Sequence, residues 1–584
     1  MSPARSSAYL LHKSLRERAF SAFRKASSPL LATFVCLPLL VVIAAFFIGL
    51  TGEEQRQTLS HLWEFVIAEY VWHTIVMMVG VGVLVTLLGV STAWLTTACE
   101  FKGVRWLRWA LLLPLAMPAY ITAYTYSGML SYEGIVQRTL RDIFNWSYGD
   151  YYFPEVRSIT GAILVLSFVL FPYVYLITRA AFLEQSRAAI EASRVLGLSP
   201  WKSFWRVALP MARPAIATGL TLALMETLAD YGTVHFYGVT TFTTGIFRTW
   251  YGMGDPLGAL QLSSILLSAI IILMVLERIS RKQSQYHNGT KGSQPARPFK
   301  LSRGKSIAAF LVCFIPIAIG FVFPALQLIS WSYDQVETWL SPDFHELVKN
   351  SIALALLASS ITVMVALWFC YGKRQLKTTW TRISVNLAST GYAVPGVIVA
   401  VGIIVPFAWF DRQIISASEF LFGINPGLIF SGTIISVLFA YLVRFLSVSI
   451  QTIDSGLAQI SPAMDESGRI LGLSSTQVLG RIHFPLLKTS LMTAGILVFV
   501  DVLKELPATL ILRPFNFNTL AVRAYEMAGD ERLAQAGPAA LMIVVAGLVP
   551  VILLSRAIQA RHQSYLNMKT PPQKAEEIYE PVNA

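Results

Sequence analysis

The chain has 584 residues, of which 55% are hydrophobic and 14% charged, with a mean hydropathy of +0.58 and 46 Lys and Arg against 33 Asp and Glu. An ordinary soluble domain is charged at about a quarter of its positions, so this composition excludes a soluble globular fold and indicates a membrane protein. The net charge of +13 does not indicate a nucleic-acid partner, because its placement along the chain is that of a membrane address and no basic groove asks for nucleic acid.

In chain order, residues 1–29 are basic and poor in apolar runs. The block that follows, LLATFVCLPLLVVIAAFFIGL, is longer than a signal-peptide core of about 7 to 15 residues and lacks a small-residue cleavage site, so it reads as a retained first span. Five more apolar blocks begin near Val71, Trp109, Ile159, Met211 and Gly258. Each is close to the ~20 residues that carry a helix across a ~30 Å hydrocarbon core. The stretch RISRKQSQYHNGTKGSQPARPFKLSRGKS then reads as a solvated linker, rich in polar residues, Gly and basic charge. Six further blocks begin near Ile307, Ser351, Ile383, Gly427, Leu486 and Pro538. The expected fold is therefore all-α, with twelve membrane helices in two six-helix repeats. Its expected bounds are 1–277 for the first repeat, 278–306 for a cytoplasmic linker, 307–556 for the second repeat and 557–584 for a cytoplasmic tail. Pro and Gly inside blocks, as in LLLPLAMPAY and GYAVPGVIVA, are tolerated where neighbouring helices satisfy the freed backbone groups.

With the amino terminus in the cytoplasm and twelve alternating spans, most Lys and Arg fall on cytoplasmic segments, the one from Arg444 to Lys488 included. This positive-inside bias sets the expected orientation, with both termini cytoplasmic. Cys36, Cys99, Cys313 and Cys370 lie in or at the ends of spans without paired metal spacing, which suggests neither zinc nor a disulfide framework.

The halves repeat. A shift of 277 places Cys36 on Cys313, His73 and Thr74 on Asn350 and Ser351, and Pro118 on Pro395. Shifting by 275 places Glu191, Arg194, Gly197, Arg206 and Pro210 on Glu466, Arg469, Gly472, Arg481 and Pro485. Six spans per half is an even number, so the repeats are parallel rather than inverted, which weighs against an inverted-repeat secondary transporter.

The second shift relates two polar phrases, EASRVLGLSPWKSFWRVALP from Glu191 and ESGRILGLSSTQVLGRIHFP from Glu466, each expected on the cytoplasmic side after a fourth span. Their chemistry predicts two short helices with a bend. Gly197 and Gly472 suit the left-handed conformation that closes the first helix, Ser199 and Ser474 cap the second, and Pro200 suits its first turn. Pro210 and Pro485 mark the return to the bilayer. Basic amphipathic helices also simply lie on lipid headgroups, but two near-identical loops at equivalent positions favour a two-site docking surface.

These phrases resemble the signature loop of bacterial ABC-importer permeases: Glu-Ala-Ala, three residues, Gly, nine residues, then Ile-x-Leu-Pro. The first copy supplies Glu191, Ala192, Gly197, Leu209 and Pro210; the looser second copy supplies Glu466, Gly472, Ile482 and Pro485, with the spacing kept. The resemblance implies a type I importer fold in which each loop is a coupling helix seated in a cytoplasmic ATPase. Two copies imply two ATPase subunits, so one chain replaces a permease dimer. ATP would be bound by those partners, with no cofactor in this chain. ETLADYGTVHFYGVTTFTTGIFRTWYGMGDPLGALQLSS from Glu226 and DVLKELPATLILRPFNFNTLAVRAYEMAGDERL from Asp501 are similar to fused two-repeat permeases of ferric-iron importers. That implies ferric iron as cargo, a periplasmic or extracellular iron-binding protein as donor, and a place in the bacterial inner membrane. Related fused permeases carry thiamine or phosphonates, which stand as alternative cargoes, and a channel or ion-driven transporter is a further alternative.

Within those stretches Glu226 and Asp230 are four apart, as are Asp501 and Glu505, so each pair shares a helix face. Charges within a bilayer are costly and usually face a polar cavity or a partner, and hard trivalent cations favour carboxylate oxygen. One reading is a four-carboxylate cation pathway between the halves. In the other, Lys504 neutralises one acid while the rest cap helices or bridge to Arg248 and Arg513; which residues would ligate a metal stays open. His235 reads as a surface residue. Tyr231, Tyr237 and Tyr251 offer phenolate oxygen in principle, but Tyr is also common at the membrane interface. The motif G-x-x-x-x-G-K-[ST] does not occur, since Phe299 stands where the RGKS of Arg303–Ser306 would need its first Gly, and no enzymatic activity is expected of this chain.

Overall fold

The computed structural model describes residues 25–48, 60, 64 and 66–567, apart from 148, 185–191, 194, 283–297, 377 and 392–393. Among the described residues, eleven helices are long and apolar enough to cross a membrane, five in the first half (Lys25–Ile48 to Pro256–Ile279) and six in the second (Arg303–Asp334 to Leu533–Leu553).

The twelfth expected helix, the block near Trp109, is broken. Helix Val104–Ala110 is followed by a 3-10 turn, Leu113–Ala116, and by helix Ala119–Leu130. Pro114 and Pro118 are the cause. Proline lacks an N–H and its ring clashes with the carbonyl four residues back, and Met117, which precedes Pro118, is extended (φ −100°, ψ 111°) as residues before proline tend to be. The 12 residues of Ala119–Leu130 rise only about 18 Å. The second half breaks at the equivalent place but recovers: helix Thr379–Ala388 stops, Pro395 caps the next helix, and Gly396–Phe422 runs for 27 residues. The crossing expected from Ile383 therefore begins at Gly396. Likewise the one expected from Gly427 begins at Ile434, after a loop in which Gly427 and Gly432 have positive φ.

Three long helices share a device that sequence periodicity does not reveal. The π-helical turns Phe204–Ala208, Ala318–Val322 and Leu479–His483 each precede a proline by one intervening residue: Pro210, Pro324 and Pro485. In each turn the N–H before the proline reaches back five residues, as Leu209 does to Phe204 and Phe484 to Leu479. The widened turn makes room for a ring that would collide with a regular helix. The first and third of these turns are related by the 275-residue shift.

The halves exchange their first helices. Lys25–Ile48 lies on the second half, with Phe34 against Phe439 (4.7 Å between ring centres) and the Cys36 thiol donating to the Leu387 carbonyl (3.5 Å). Arg303–Asp334 lies on the first, where the Tyr126 hydroxyl donates to the Ile319 carbonyl (2.6 Å) and Phe314 meets Trp106. Membrane helices pack this closely where small residues let backbones approach, and a Cβ at Gly402 would lie 2.5 Å from the Pro38 carbonyl oxygen. Gly402→Ala is therefore expected to cost about 1–3 kcal/mol of stability through overpacking, measured as a lower thermal unfolding midpoint of the detergent-purified protein. An unchanged midpoint would mean that the exchanged helix is free to give way.

Candidate functional site

The two repeated loops have one backbone design. In the second, helix Pro462–Ile470 ends where the Leu473 N–H bonds the Gly468 carbonyl (3.0 Å), with Gly472 at φ +77°. In the first, the Leu198 N–H bonds the Ser193 carbonyl (3.0 Å), with Gly197 at φ +74°. Both glycines thus occupy the left-handed closing position that their place in the phrase predicts. The predicted caps also form. Ser474 and Gln477 make a reciprocal capping box on Ser475–Val478, and the Ser199 hydroxyl accepts from the Lys202 N–H (3.4 Å). Ala192 and Glu466 are exposed, Leu209 and Pro210 open helix Leu209–Ala229, Ile482 sits in the π-helical turn, and Pro485 is in the first turn of Phe484–Leu503. Glu191 and Arg194 lie outside the described residues.

Sequence reasoning passed over what the loops present to solvent. Val195 is 87% and Leu196 79% exposed, and their counterparts 275 residues on, Ile470 and Leu471, are 85% and 80% exposed. Duplicated apolar pairs held at the closing turn of a polar loop are the kind of exposed surface that marks an interaction site. The signal was present as VLGL and ILGL.

The four acids line one cavity of ≈ 150 Å³, together with Arg444 and Lys504. They are not equivalent. Asp230 accepts from the Thr233 and Val234 N–H groups (3.0 and 3.1 Å) and the Thr233 hydroxyl (2.9 Å), capping helix Gly232–Phe236. Glu505 does the same for helix Pro507–Leu512 through the Ala508 and Thr509 N–H groups (both 3.0 Å) and the Thr509 hydroxyl (2.6 Å). It is buried and also ion-paired to Arg444 at 2.7 Å. The capping offsets, three and four residues, are the same in both halves. Asp501 pairs with Lys504 at 2.8 Å. Glu226 faces the cavity with neither an ion pair nor a hydrogen bond among the described residues.

The basic groups break the symmetry. By the 275-residue shift Arg444 corresponds to Val169 and Lys504 to Ala229, and both of these also line the cavity. The second half therefore supplies both cations, and the first half supplies the acid, Glu226, that makes no ion pair or hydrogen bond among the described residues. Arg444 does not belong to a cytoplasmic segment, as its place in the charge tally assumed; it projects from within helix Ile434–Ala458. Arg513 does not bridge to the four acids either, because it is bound to Glu526 (2.6 Å) and to Asn518. No group of three or more His, Cys, Asp or Glu able to hold a metal ion occurs among the described residues.

The family model described as binding-protein-dependent transport system inner membrane component matches residues 155–284 and 358–564. The chain belongs to this family. Each match contains one repeated loop and one acid pair, so the duplication seen in the fold is a duplication of the family unit. Among the relatives is the Fe(3+)-transport system permease protein FbpB 2 of Haemophilus influenzae, 27% identical over 89% of this chain and 96% of the relative. The ferric transport system permease protein FbpB of Actinobacillus pleuropneumoniae is 21% identical over 82% of this chain and 69% of its own length. The molybdenum transport system permease protein ModB of Escherichia coli is 27% identical over 36% of this chain but 96% of its own length. That relative corresponds to a single half.

The loops of this inner membrane component are not anchored alike. In the second, Asp465 accepts from the Arg374 guanidinium (2.8 and 3.2 Å) and contacts the His483 ring (2.5 Å), while the Tyr371 hydroxyl donates to the Ser475 carbonyl (2.5 Å). Arg374 also donates to the Leu457 and Ile460 carbonyls (2.6 and 3.0 Å). Burial alone would raise the Asp465 carboxyl, but the hydrogen bonds and charges of Arg374 and His483 outweigh it and hold the group below its ordinary range. The first loop instead has a buried Ser193–Ser203 hydroxyl pair at 2.7 Å. The outer tyrosines of the sequence reading are bound to protein: Tyr237 donates to the Ala123 carbonyl (3.0 Å) and Tyr251 to the Leu510 carbonyl (3.0 Å), while Tyr231 stacks on Phe247. His235 is exposed, as expected of a surface residue, and bonds the Tyr525 hydroxyl of the other half at 2.5 Å.

Proposed function

We propose that this chain is the membrane permease of an ATP-driven ABC importer that takes ferric iron from an external binding protein across the bacterial inner membrane. The single observation that supports the importer reading most is the pair of equivalent loops, each closed by a left-handed glycine beside an exposed apolar pair. Each loop is read as a coupling helix for one ATPase subunit, with ATP bound by those subunits and both chain termini in the cytoplasm. Ferric iron is favoured as cargo by the names of the relatives that cover most of the chain. Each repeat, 1–277 and 307–556, supplies one wall of the path, and 278–306 and 557–584 remain on the cytoplasmic face.

The cavity narrows the four-carboxylate pathway. Asp230 and Glu505 hold helix ends and keep the outer segments in register, while Glu226 and Asp501 face the cargo. ATP-driven rocking of the halves would switch access to the cavity. The reading is tested by uptake of radiolabelled iron into proteoliposomes containing this chain, its co-purified ATPase and the cognate binding protein, with thiamine and a phosphonate in parallel. ATP-dependent accumulation of iron alone is expected. Uptake of thiamine or phosphonate instead would replace the cargo and keep the importer, and uptake without any ATPase would sink the importer.

A further inference from the structure

We infer that the Arg374–Asp465 pair, with His483, is the joint through which the second repeated loop moves the membrane helices. The first loop, with Thr97 and Ile190 at the matching places, is coupled more loosely, so the two ATPase subunits drive this chain unequally. This rests on the coupling-loop reading above and deepens it.

One guanidinium ties together the elements on which the second loop turns. Arg374, near the end of helix Pro342–Leu376, holds both carboxylate oxygens of Asp465 on helix Pro462–Ile470 (2.8 and 3.2 Å). Two further N–H groups go to the Leu457 and Ile460 carbonyls (2.6 and 3.0 Å), where helix Ile434–Ala458 ends and the loop begins. The His483 ring, in the π-helical turn that leaves the loop, meets the same carboxylate at 2.5 Å. Three residues before Arg374, the Tyr371 hydroxyl donates to the Ser475 carbonyl (2.5 Å) on the loop's second helix. One face of helix Pro342–Leu376 thus grips both arms of the loop. The Arg374 and Asp465 side chains are only 16% and 17% exposed and His483 1%, so water weakens the pair little. A guanidinium–carboxylate fork fixes direction as well as distance, so a tilt of the loop must carry helix Pro342–Leu376 with it. That helix packs on Ile434–Ala458 and Phe484–Leu503, which bring Arg444 and Asp501 to the cavity.

The first half is built otherwise. The 277-residue shift puts Trp94 and Thr97 at the places of Tyr371 and Arg374, and the 275-residue shift puts Ile190 and Ala208 at those of Asp465 and His483. None of these four residues is ionisable. Trp94 packs against Phe182 and Phe204 (5.5 and 5.1 Å between ring centres), and the Thr97 hydroxyl donates to the Ala93 carbonyl of its own helix. Apolar burial is non-directional, so this contact holds the first loop near its helix without fixing its tilt.

The test reads ATPase co-purification, ATP hydrolysis and iron uptake on one complex, the reconstituted chain with its ATPase and binding protein. Arg374→Met with Asp465→Leu and His483→Leu exchanges the buried ionic cluster for apolar side chains, a change that is often neutral for stability. It also removes the buried His483 Nδ1, which has no hydrogen-bond partner among the described residues. The ATPase is expected to stay bound and to hydrolyse ATP, while iron carried per ATP falls at least about ten-fold. Trp94→Leu, which loosens the matching contact of the first loop, is expected to keep most of that ratio. An intact triple variant with an unchanged ratio of iron to ATP would overturn the inference and leave the importer standing. So would an intact Trp94→Leu complex that loses the ratio as fully as the triple variant. Tyr371→Phe deletes one hydroxyl from the same joint and is read in place of a triple variant that does not fold: its ratio is expected to fall in an intact complex, and an unchanged ratio overturns the inference. Absence of ATP-dependent uptake by the unaltered chain would overturn the importer reading itself.

Discussion

Changing Val195, Leu196, Ile470 and Leu471 together to Asp is expected to abolish both co-purification of the ATPase and ATP-driven uptake, with the permease still folded and inserted at its normal level. The four side chains are 79–87% exposed, so little native packing is lost. In a docked complex each would be buried, and burial of a Val, Leu or Ile side chain is worth about 1.5–3 kcal/mol. Four such losses, with charges added against an apolar groove, exceed the binding energy of most transient complexes. A change confined to the closing turns should act more weakly. Gly197→Val with Gly472→Val puts side chains at two left-handed positions, φ +74° and +77°, the first of them facing open space, and the left-handed backbone costs about 1–2 kcal/mol each. Co-purification read by gel filtration should therefore fall in two grades, complete for the Asp variant and partial for the Val variant. Retained association in the Asp variant would defeat the docking assignment. Loss of the permease itself from the membrane would show instead that the pairs pack against bilayer or protein.

The loops were legible because their signals are local. Glycine at a closing turn, serine at a cap and proline at a helix start each act over a few residues, and the 275-residue repeat doubled every one of them. The broken third block was less legible: LLLPLAMPAY contains its own breakers, Pro114 and Pro118, but apolar character alone extended it into a span. The site was half legible. Two acid pairs at four-residue spacing predicted a shared face, and the acids do line one cavity. That spacing cannot say which acid a helix end will claim, and Asp230 and Glu505 are held by N–H groups downstream of them. Arg444 carried a usable signal, a lone charge inside YLVRFLSVS, but counting it toward a loop hid it. The Asp465–Arg374–His483 cluster carried none, since its members are separated by up to 109 residues in the chain and meet only through packing. Asp411 is a counter-example to reading every buried acid as functional. It is fully buried in helix Gly396–Phe422 and accepts from the Ile429, Phe430 and Ser431 N–H groups (3.0, 2.9 and 2.7 Å), which accounts for it as a loop anchor.

That distinction yields the sharpest contrast among the four cavity acids. Glu505→Ala is expected to lower the yield of folded protein severely. It strands Arg444, and removing one partner of a buried ion pair costs about 3–5 kcal/mol. It also uncaps helix Pro507–Leu512, which adds about 0.5–2 kcal/mol. Glu226→Gln should behave in the opposite way. Glu226 has no ion pair or hydrogen bond to lose among the described residues, and relieving an intramembrane charge removes an insertion cost of about 2.5–3.5 kcal/mol, so its unfolding midpoint should hold or rise. Its iron uptake should nevertheless fall at least about ten-fold, the equivalent of one lost interaction of about 1.4 kcal/mol. Unfolding of the detergent-purified variants and uptake at matched protein level separate the two roles. If Glu226→Gln transports normally, Glu226 does not touch the cargo, and of the four acids only Asp501 is left to do so. If it is stable and silent, Glu226 meets the cargo, and the asymmetry between it and the Arg444–Glu505 pair becomes the basis of selectivity.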